Sequence, residues 1–248
     1  MHDKECQQVL IISDVHANAV ALEAVLDDAS DQFDAVWCLG DLVGYGPAPN
    51  HCVARIKALP GMVCLLGNHD KAALGDVDLD IFNPDASEAL LWTQRILTSE
   101  SRSFLGCLPS MVQQTDITLA HGSPRDPVWE YIVDNYIAFH NFSYFNTSLC
   151  LVGHSHLPLI FSLDGGGCSR YIPSHGETIA LRDMRYILNP GSIGQPRDRC
   201  PMASYALLDL EASTWEFRRV PYDVVETQRC MEDQGLPSRL VARLAIGV

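Results

Sequence analysis

Apolar runs recur along the first two-thirds of the chain, and each stops at a glycine or at a side chain that carries chemistry. Residues 8–13 predict a strand, with Val9 to Ser13 leading into Asp14 and His16. Asn18 is placed to cap a helix over Val20 to Ala29, where Leu22, Val25, Leu26 and Ala29 fall at helical spacing. A second strand, 35–39, runs into Gly40-Asp41. Gly44-Tyr45-Gly46-Pro47 reads as a loop and Asn50 to Leu59 as a short helix. Pro60-Gly61 turns the chain into a third strand, 62–66, followed by Gly67-Asn68-His69-Asp70. This strand–helix–strand–helix–strand opening predicts parallel strands joined by right-handed crossovers. Ala86 to Leu97 predicts a helix with Leu90, Leu91, Ile96 and Leu97 on its apolar side, and a further helical piece covers 100–107. Met111 to Gln114 and Ile117 to Ala120 predict a hairpin across Thr115-Asp116, with His121 just beyond. Leu149 to Val152 ends at Gly153-His154-Ser155-His156.

The stretch 124–148 holds Trp129, Tyr131, Tyr136, Phe139, Phe142, Tyr144 and Phe145. Its default reading is a helix packing an aromatic face into the core; a lid or a surface for stacking a nucleobase is the alternative. After His156 the pattern turns β-rich, with strands expected at 158–163, 178–188, 203–210 and 214–220 in antiparallel pairing. Gly165-Gly166-Gly167 reads as a flexible connection. The tail from Tyr222 predicts two helices split at Gly235-Leu236-Pro237. With no internal repeat and no linker that demands a cut, residues 1–248 are expected to form a single domain.

Composition narrows the function classes. At 248 residues, 47% hydrophobic and 19% charged, the chain has enough apolar residues to bury a core. No apolar run reaches membrane-spanning length, and the polar Met1-His2-Asp3-Lys4-Glu5 reads as no signal peptide. Seventeen basic against thirty-one acidic side chains leave a formal net charge of −14, which argues against an extended nucleic-acid groove but not against a small anionic substrate at a metal site. Nine cysteines, an odd number without a C-x-x-C pair, predict reduced, mostly buried thiols and a cytoplasmic protein. No membrane partner is expected, and a homo-oligomer is compatible with everything above.

Five strand ends carrying Asp, His and Asn predict a metal centre, because ligands gather beyond the carboxyl ends of strands in α/β sheets. Asp14-x-His16 and His154-x-His156 are taken as extended pairs whose side chains point the same way. Asp41 has two oxygens and can bridge. One ion is assigned Asp14, His16, Asp41 and His156, the other Asp41, Asn68, His121 and His154. Four imidazoles disfavour Mg and Ca and suit two divalent transition-metal ions, Mn, Fe, Co, Ni or Zn. Two such ions share a hydroxide and clamp an in-line displacement at phosphorus. His69 is the expected general acid, with Asp70 orienting it, and Asn18 at the first helix is a candidate donor to a phosphate oxygen. His2, His51, His140 and His175 lack such context and read as surface or internally satisfied histidines. Glu130 and Asp134 read as a solvated helix face.

Asp14-Val15-His16, Gly40-Asp41, Gly67-Asn68-His69-Asp70, His121-Gly122 and Gly153-His154-Ser155-His156 resemble the five ordered blocks of the calcineurin-like metallophosphoesterases. Asn189-Pro190-Gly191-Ser192 resembles a loop of the small prokaryotic members. The resemblance implies an α/β fold, a four-layer α/β/β/α sandwich with two mixed sheets and a dinuclear site at the strand C-terminal ends. It also implies hydrolysis of phosphoester bonds. Protein Ser/Thr phosphatases of this superfamily carry Asp-Arg-Gly after the bridging Asp and read Gly-Asn-His-Glu. Here Gly44-Tyr45-Gly46 and Asp70 stand in those places, so the chain looks more like the compact phosphodiesterase branch. Tyr45 either lines the substrate pocket or packs under its loop. Arg125 and Arg197 are candidates for a second substrate charge, with surface ion pairs as the plainer alternative. The expected function is a phosphodiesterase on small or nucleotide-like substrates; a phosphomonoesterase or a non-catalytic module of the same fold are the alternatives. A metallo-β-lactamase-type site is a poor third alternative, because it needs His-x-His-x-Asp-His, and Leu157-Pro158 follow His156.

Overall fold

In the computed structural model, which describes residues 7–248, β1 (Gln8–Ile12) and β2 (Ala35–Cys38) are apolar on both faces. Strands of that kind need cover on both sides. The period of two divides them cleanly. Leu10, Ile12, Val36 and Cys38 pack with Leu22, Val25 and Ile56 from the helices α1 (Ala19–Asp28) and α2 (Pro49–Lys57). Val9, Ile11, Trp37 and Leu39 face the other way, onto Leu119, Leu151 and Leu188 of a second sheet. The far side of that sheet, with Val152, Phe161 and Ile187, is covered by Ile132, Ala138, Phe142 and Phe145. The result is helix, sheet, sheet, helix.

The first sheet runs β3-β2-β1-β11-β12-β9, adding β3 (Val63–Cys64), β9 (Thr178–Ala180), β11 (Ala203–Asp209) and β12 (Thr214–Val220). The second runs β4-β5-β6-β10-β7-β8, from β4 (Met111–Gln114), β5 (Ile117–Ala120), β6 (Leu149–Leu151), β7 (Pro158–Asp164), β8 (Gly167–Tyr171) and β10 (Arg185–Pro190). Both are mixed. β1, β2 and β3 are parallel while β1 and β11 are antiparallel; β5, β6 and β10 are parallel while β10 and β7 are antiparallel. The parallel strands of both sheets bring their C-terminal ends to one seam.

The remaining helices are α3 (Asn68–Leu74), α4 (Pro84–Ile96), α5 (Ser99–Leu105), α6 (Asn135–Asn141), α7 (Val224–Asp233) and α8 (Ser238–Leu244). The split tail is as expected, and its apolar side packs on Tyr45, Ala86 and Ala89.

Several expectations need correction. The strand expected over 178–188 is two strands in different sheets, because the chain turns at Asp183, whose φ is +55°. Gly165-Gly166-Gly167 is the turn of the β7–β8 hairpin, with Asp164 paired to Gly167. Pairing after His156 is not uniformly antiparallel, since β10 lies parallel to β6. Leu91 and Ile96 of α4 are exposed. The 124–148 segment is divided: Phe142 and Phe145 are core, whereas Tyr131, Tyr136, Phe139 and Tyr144 are exposed. Asp134 caps α6 by accepting from Ile137 N–H.

Among the described residues the eight cysteines are free, and Cys38, Cys64 and Cys150 are buried. No helix among them is long and apolar enough to cross a membrane. His51 meets Glu23 at the surface, and His175 accepts from Arg219 N–H. His2 and the polar Met1-to-Glu5 stretch lie outside the described residues.

Candidate metal centre

Asp14 and His16 follow β1, Asp41 follows β2, Asn68 opens α3 just after β3, His121 follows β5, and His154 and His156 follow β6. The extended geometry expected for the two x-separated pairs is not what delivers them. Asp14, His16, Asp41, His154 and His156, five of the seven, have φ between +48° and +62°. Left-handed backbone costs a non-glycine residue about 1–2 kcal/mol and persists where surrounding bonds impose it. Here Asp14 N–H donates to Gly40 C=O, His16 N–H to Asp41 C=O and Gly153 N–H to His121 C=O. Each ligand loop is thereby stitched to a neighbouring one. Gly67 permits the closest approach: a Cβ there would lie 1.9 Å from Asp41 Oδ1.

Each aspartate has one oxygen engaged and one free. Asp14 Oδ2 accepts from His154 N–H at 3.1 Å, and Asp41 Oδ1 from His69 N–H at 2.9 Å. Asp14 Oδ1 and Asp41 Oδ2 are buried with no donor. Around them stand ring nitrogens. His156 Nε2 is 3.3 Å from Asp14 Oδ1, and the Nε2 atoms of His16 and His121 are 3.6 and 3.4 Å from Asp41 Oδ2. Asn68 Oδ1 lies 3.2 Å from His121 Nε2.

Backbone carbonyls set the tautomers. Nδ1–H of His16, His121 and His156 donates to Val43, Leu39 and Gln195 C=O, and Nε2–H of His154 donates to Trp129 C=O. In His16, His154 and His156 the opposite nitrogen then presents a lone pair inward. His16 and His156 Nε2 are only 3.1 Å apart. Two lone pairs at that distance repel unless a cation lies between them, and the orphaned carboxylate oxygens want the same partner. The donor set therefore fits divalent metal ions. Asp14, His16, Asp41 and His156 form one group whose ligand atoms lie within 4.8 Å of one another; Asp41, His121 and His154 form another. Asp41 belongs to both.

The electrostatics favour neutral imidazoles at three of the four histidines, His121 being the exception. Burial pushes His16 and His156 well below the ordinary imidazole range and His154 down to about 3. Burial likewise raises Asp14 to about 7. Asp41 runs the other way: burial opposes its charge, but His121 and His69 outweigh that and hold it below the usual carboxylate range. His121 in turn is lowered by burial and raised more by Asp41, to about 9. The proton on His121 does for Asp41 what a cation would do, and metal binding displaces such protons.

The other candidate residues divide. His69 lies against the cluster, its ring 4.9 Å from His16, 4.4 Å from Tyr45 and 5.1 Å from Phe82. Its Nδ1 is buried without a partner, and burial lowers it to about 4. A Cβ on Gly44, whose φ is +88°, would come within 2.7 Å of that atom, so the glycine makes room for the ring. Asp70 does not orient His69. Its oxygens accept from Val43 N–H and Gly67 N–H, both at 3.0 Å, tying the loop after β2 to the start of α3. Tyr45 packs on His16 with centroids 4.7 Å apart. Arg197 donates from Nη2 to Gln195 Oε1 at 2.9 Å and Tyr45 Oη at 3.4 Å. Among the described residues it has no carboxylate partner, and its Nε is buried without an acceptor.

Arg125 is held elsewhere, in a salt bridge with Glu130, which also accepts from Ser123 and Asn141 and is thus no solvated helix residue. Asn18 is committed to the fold. Its Oδ1 accepts from Ala21 N–H and Thr227 O–H, and its Nδ2 donates to Gly194 C=O. The expected phosphate contact is replaced by a helix cap. Missing from the expectation are Trp129, whose carbonyl holds His154, Gln195, whose carbonyl holds His156, and Tyr131, stacked on His154 at 3.8 Å. Backbone carbonyls leave no mark in a sequence, so only Tyr131 had a signal, as one aromatic among seven.

Residues 8–213 match the model of the calcineurin-like phosphoesterase superfamily domain, and the chain belongs to that family of metal-binding phosphoester hydrolases. The crystal structure of a metallophosphoesterase from Sphaerobacter thermophilus is 47% identical and superposes with a TM-score of 0.91 over 98% of this chain and all of that one. An uncharacterized protein of Methanocaldococcus jannaschii is 36% identical over 246 residues, 96% of this chain and 98% of that one. A symmetrical bis(5'-nucleosyl)-tetraphosphatase of Erwinia tasmaniensis is 28% identical over 213 residues, 77% of this chain and 73% of that one.

Proposed function

We propose that the chain hydrolyses phosphodiester bonds of small, nucleotide-like substrates. Two divalent transition-metal ions would be held by Asp14, His16, Asp41 and His156 and by Asp41, Asn68, His121 and His154. The observation that carries this reading is the free Oδ2 of Asp41, facing imidazoles of both groups with the His69 ring alongside. The tetraphosphatase relative supports a nucleotide-like substrate. Residues 7–248 act as one domain in this reading, because α7 and α8 pack on Tyr45 beside the cluster.

Metal ions bound there supply Lewis acidity and lower the pKa of a water. The chain supplies the rest. Neutral imidazoles and two aspartates leave the bound pair with surplus positive charge for a phosphate. Tyr45 and Phe82 hold the His69 ring in place, from where it delivers a proton to the leaving oxygen. Arg197, whose side-chain partners Gln195 and Tyr45 are neutral, offers its positive charge to a phosphate oxygen.

Protein stripped by a chelator and reloaded with Mn, Fe, Co, Ni or Zn is expected to regain hydrolysis of bis(p-nitrophenyl) phosphate. His69→Ala should lower turnover of an ester with a poor leaving group by about 10²–10⁴-fold while metal content stays the same. Equal activity in both proteins removes His69 from the mechanism. Metal-replete wild type without turnover favours a non-catalytic module, and preference for p-nitrophenyl phosphate favours a monoesterase.

A further inference from the structure

The rim above the cluster is almost entirely aromatic. The Phe82 ring centroid is 5.1 Å from that of His69 on one side and 6.0 Å from that of Trp129 on the other. The Trp129 carbonyl holds His154, and Tyr131 lies flat on that imidazole, 15° from parallel. Arg197 reaches Tyr45 and stands beside the Tyr131 phenol. Tyr45 closes the circle on His69. This collar has four aromatic rings, with Arg197 against two of them and Arg243 behind Tyr45.

Tyr131 is the exposed member. One ring face is spent on His154, yet the residue remains 45% accessible. It sits between β5 and α6 in a segment without helix or strand. A tyrosine kept flat by a stack beneath it and open above is a platform for another planar ring. Stacking of that kind tolerates any base, since every base has a π-face. Arg197 next to it has neutral hydrogen-bond partners, Gln195 and Tyr45, which leaves its positive charge for a phosphate oxygen. Sugar phosphates and the aliphatic esters phosphoserine and phosphothreonine offer no flat group to such a rim.

We propose that Tyr131 and Arg197 form a nucleoside-phosphate subsite: the base of the substrate stacks on the outer face of Tyr131, and Arg197 pairs with a phosphate oxygen. This rests on the hydrolase reading above and names the part of the substrate that reading leaves open. Tyr131 contacts substrate and sets specificity without taking part in bond cleavage.

Adenosine 5'-monophosphate and ribose 5-phosphate differ only by the base. Both are to be measured as competitors of bis(p-nitrophenyl) phosphate hydrolysis by the metal-loaded full chain. The nucleotide is expected to inhibit at about tenfold lower concentration or better. That advantage should fall to near one in Tyr131→Ala and survive in Tyr131→Phe, which keeps the ring. Arg197→Ala should weaken both competitors to the same degree. Equal inhibition by the two in wild type overturns the subsite while leaving the hydrolase intact, as does an advantage that persists in Tyr131→Ala. If no metal supports hydrolysis, the diesterase reading falls. Calorimetric titration of the same two ligands into manganese-loaded protein then tests the subsite by the same ratio.

Discussion

The two ends of the sandwich treat polar groups in opposite ways. At the end distant from the ligand loops, the sheets part around a cavity of about 730 Å³ lined by Leu149, Leu163, Leu181 and Leu208, with Asp116, Asp209 and Arg185 among its walls. It is roomy, but those polar groups are answered from within the chain. Asp116 accepts from Ser148, Asp209 from Gln8 and Ala212, and Arg185 donates to three backbone carbonyls. At the ligand end there is little open space, yet Asp14 Oδ1 and Asp41 Oδ2 are buried and unanswered. Two unanswered carboxylate oxygens facing a ring of imidazoles mark a working site more sharply than volume does, because a buried charge without a partner is costly to keep.

Removing the shared carboxylate tests that contrast most severely. Losing an outer partner of a metal ligand costs about 10–100-fold, so losing a ligand common to both groups should cost more. Asp41→Asn is expected to lower both metal content, read by elemental analysis, and hydrolysis by more than about a hundredfold. Full metal and full activity in that variant would erase the distinction between the ends. Leu208→Ala, at the cavity, should cost about 2–5 kcal/mol in denaturant unfolding. Hydrolysis per folded molecule should not change; a drop would mean that the two ends are coupled.

The smallest effect belongs to the arginine that lies away from the cluster. Arg125→Ala should change stability little near neutral pH and leave hydrolysis untouched. It does have an acid signature. Burial raises Glu130, but hydrogen bonds from Arg125, Asn141 and Ser123 lower it further, to about 2 against an ordinary 4.5. A carboxylate held low contributes stability that is in place above about 4.5 and is lost as pH falls through about 2. Without Arg125 the Glu130 pKa rises, so acid unfolding followed by circular dichroism should begin at a higher pH. An unchanged acid limb would mean that Asn141 and Ser123 hold Glu130 low by themselves.

The contrast between Arg125 and Arg197 also measures what can be read from residues in a row. Both sit in loops near ligand motifs, and nothing in their neighbours along the chain separates them. Folding put Glu130 against one and left the other beside Tyr45. Asp70 is a similar case. Its place next to His69 invites an orienting role, but as the third residue of α3 its carboxylate turns back to Gly67 N–H, as helix starts favour. Asn18 was legible as a cap, and that same hydrogen bond takes it away from a phosphate.

The strands before His156, the helix start at Asn18 and the six residues of the two buried Asp/His groups follow from the row of letters, because apolar runs and chemistry at strand ends are local signals. The left-handed turns that aim five of those ligands, the carbonyls that fix their tautomers, and the stack that holds Tyr131 open belong to the tertiary structure alone. Those contacts join residues up to 140 positions apart, as His154 N–H does to Asp14, and no local pattern encodes which of many distant groups will meet.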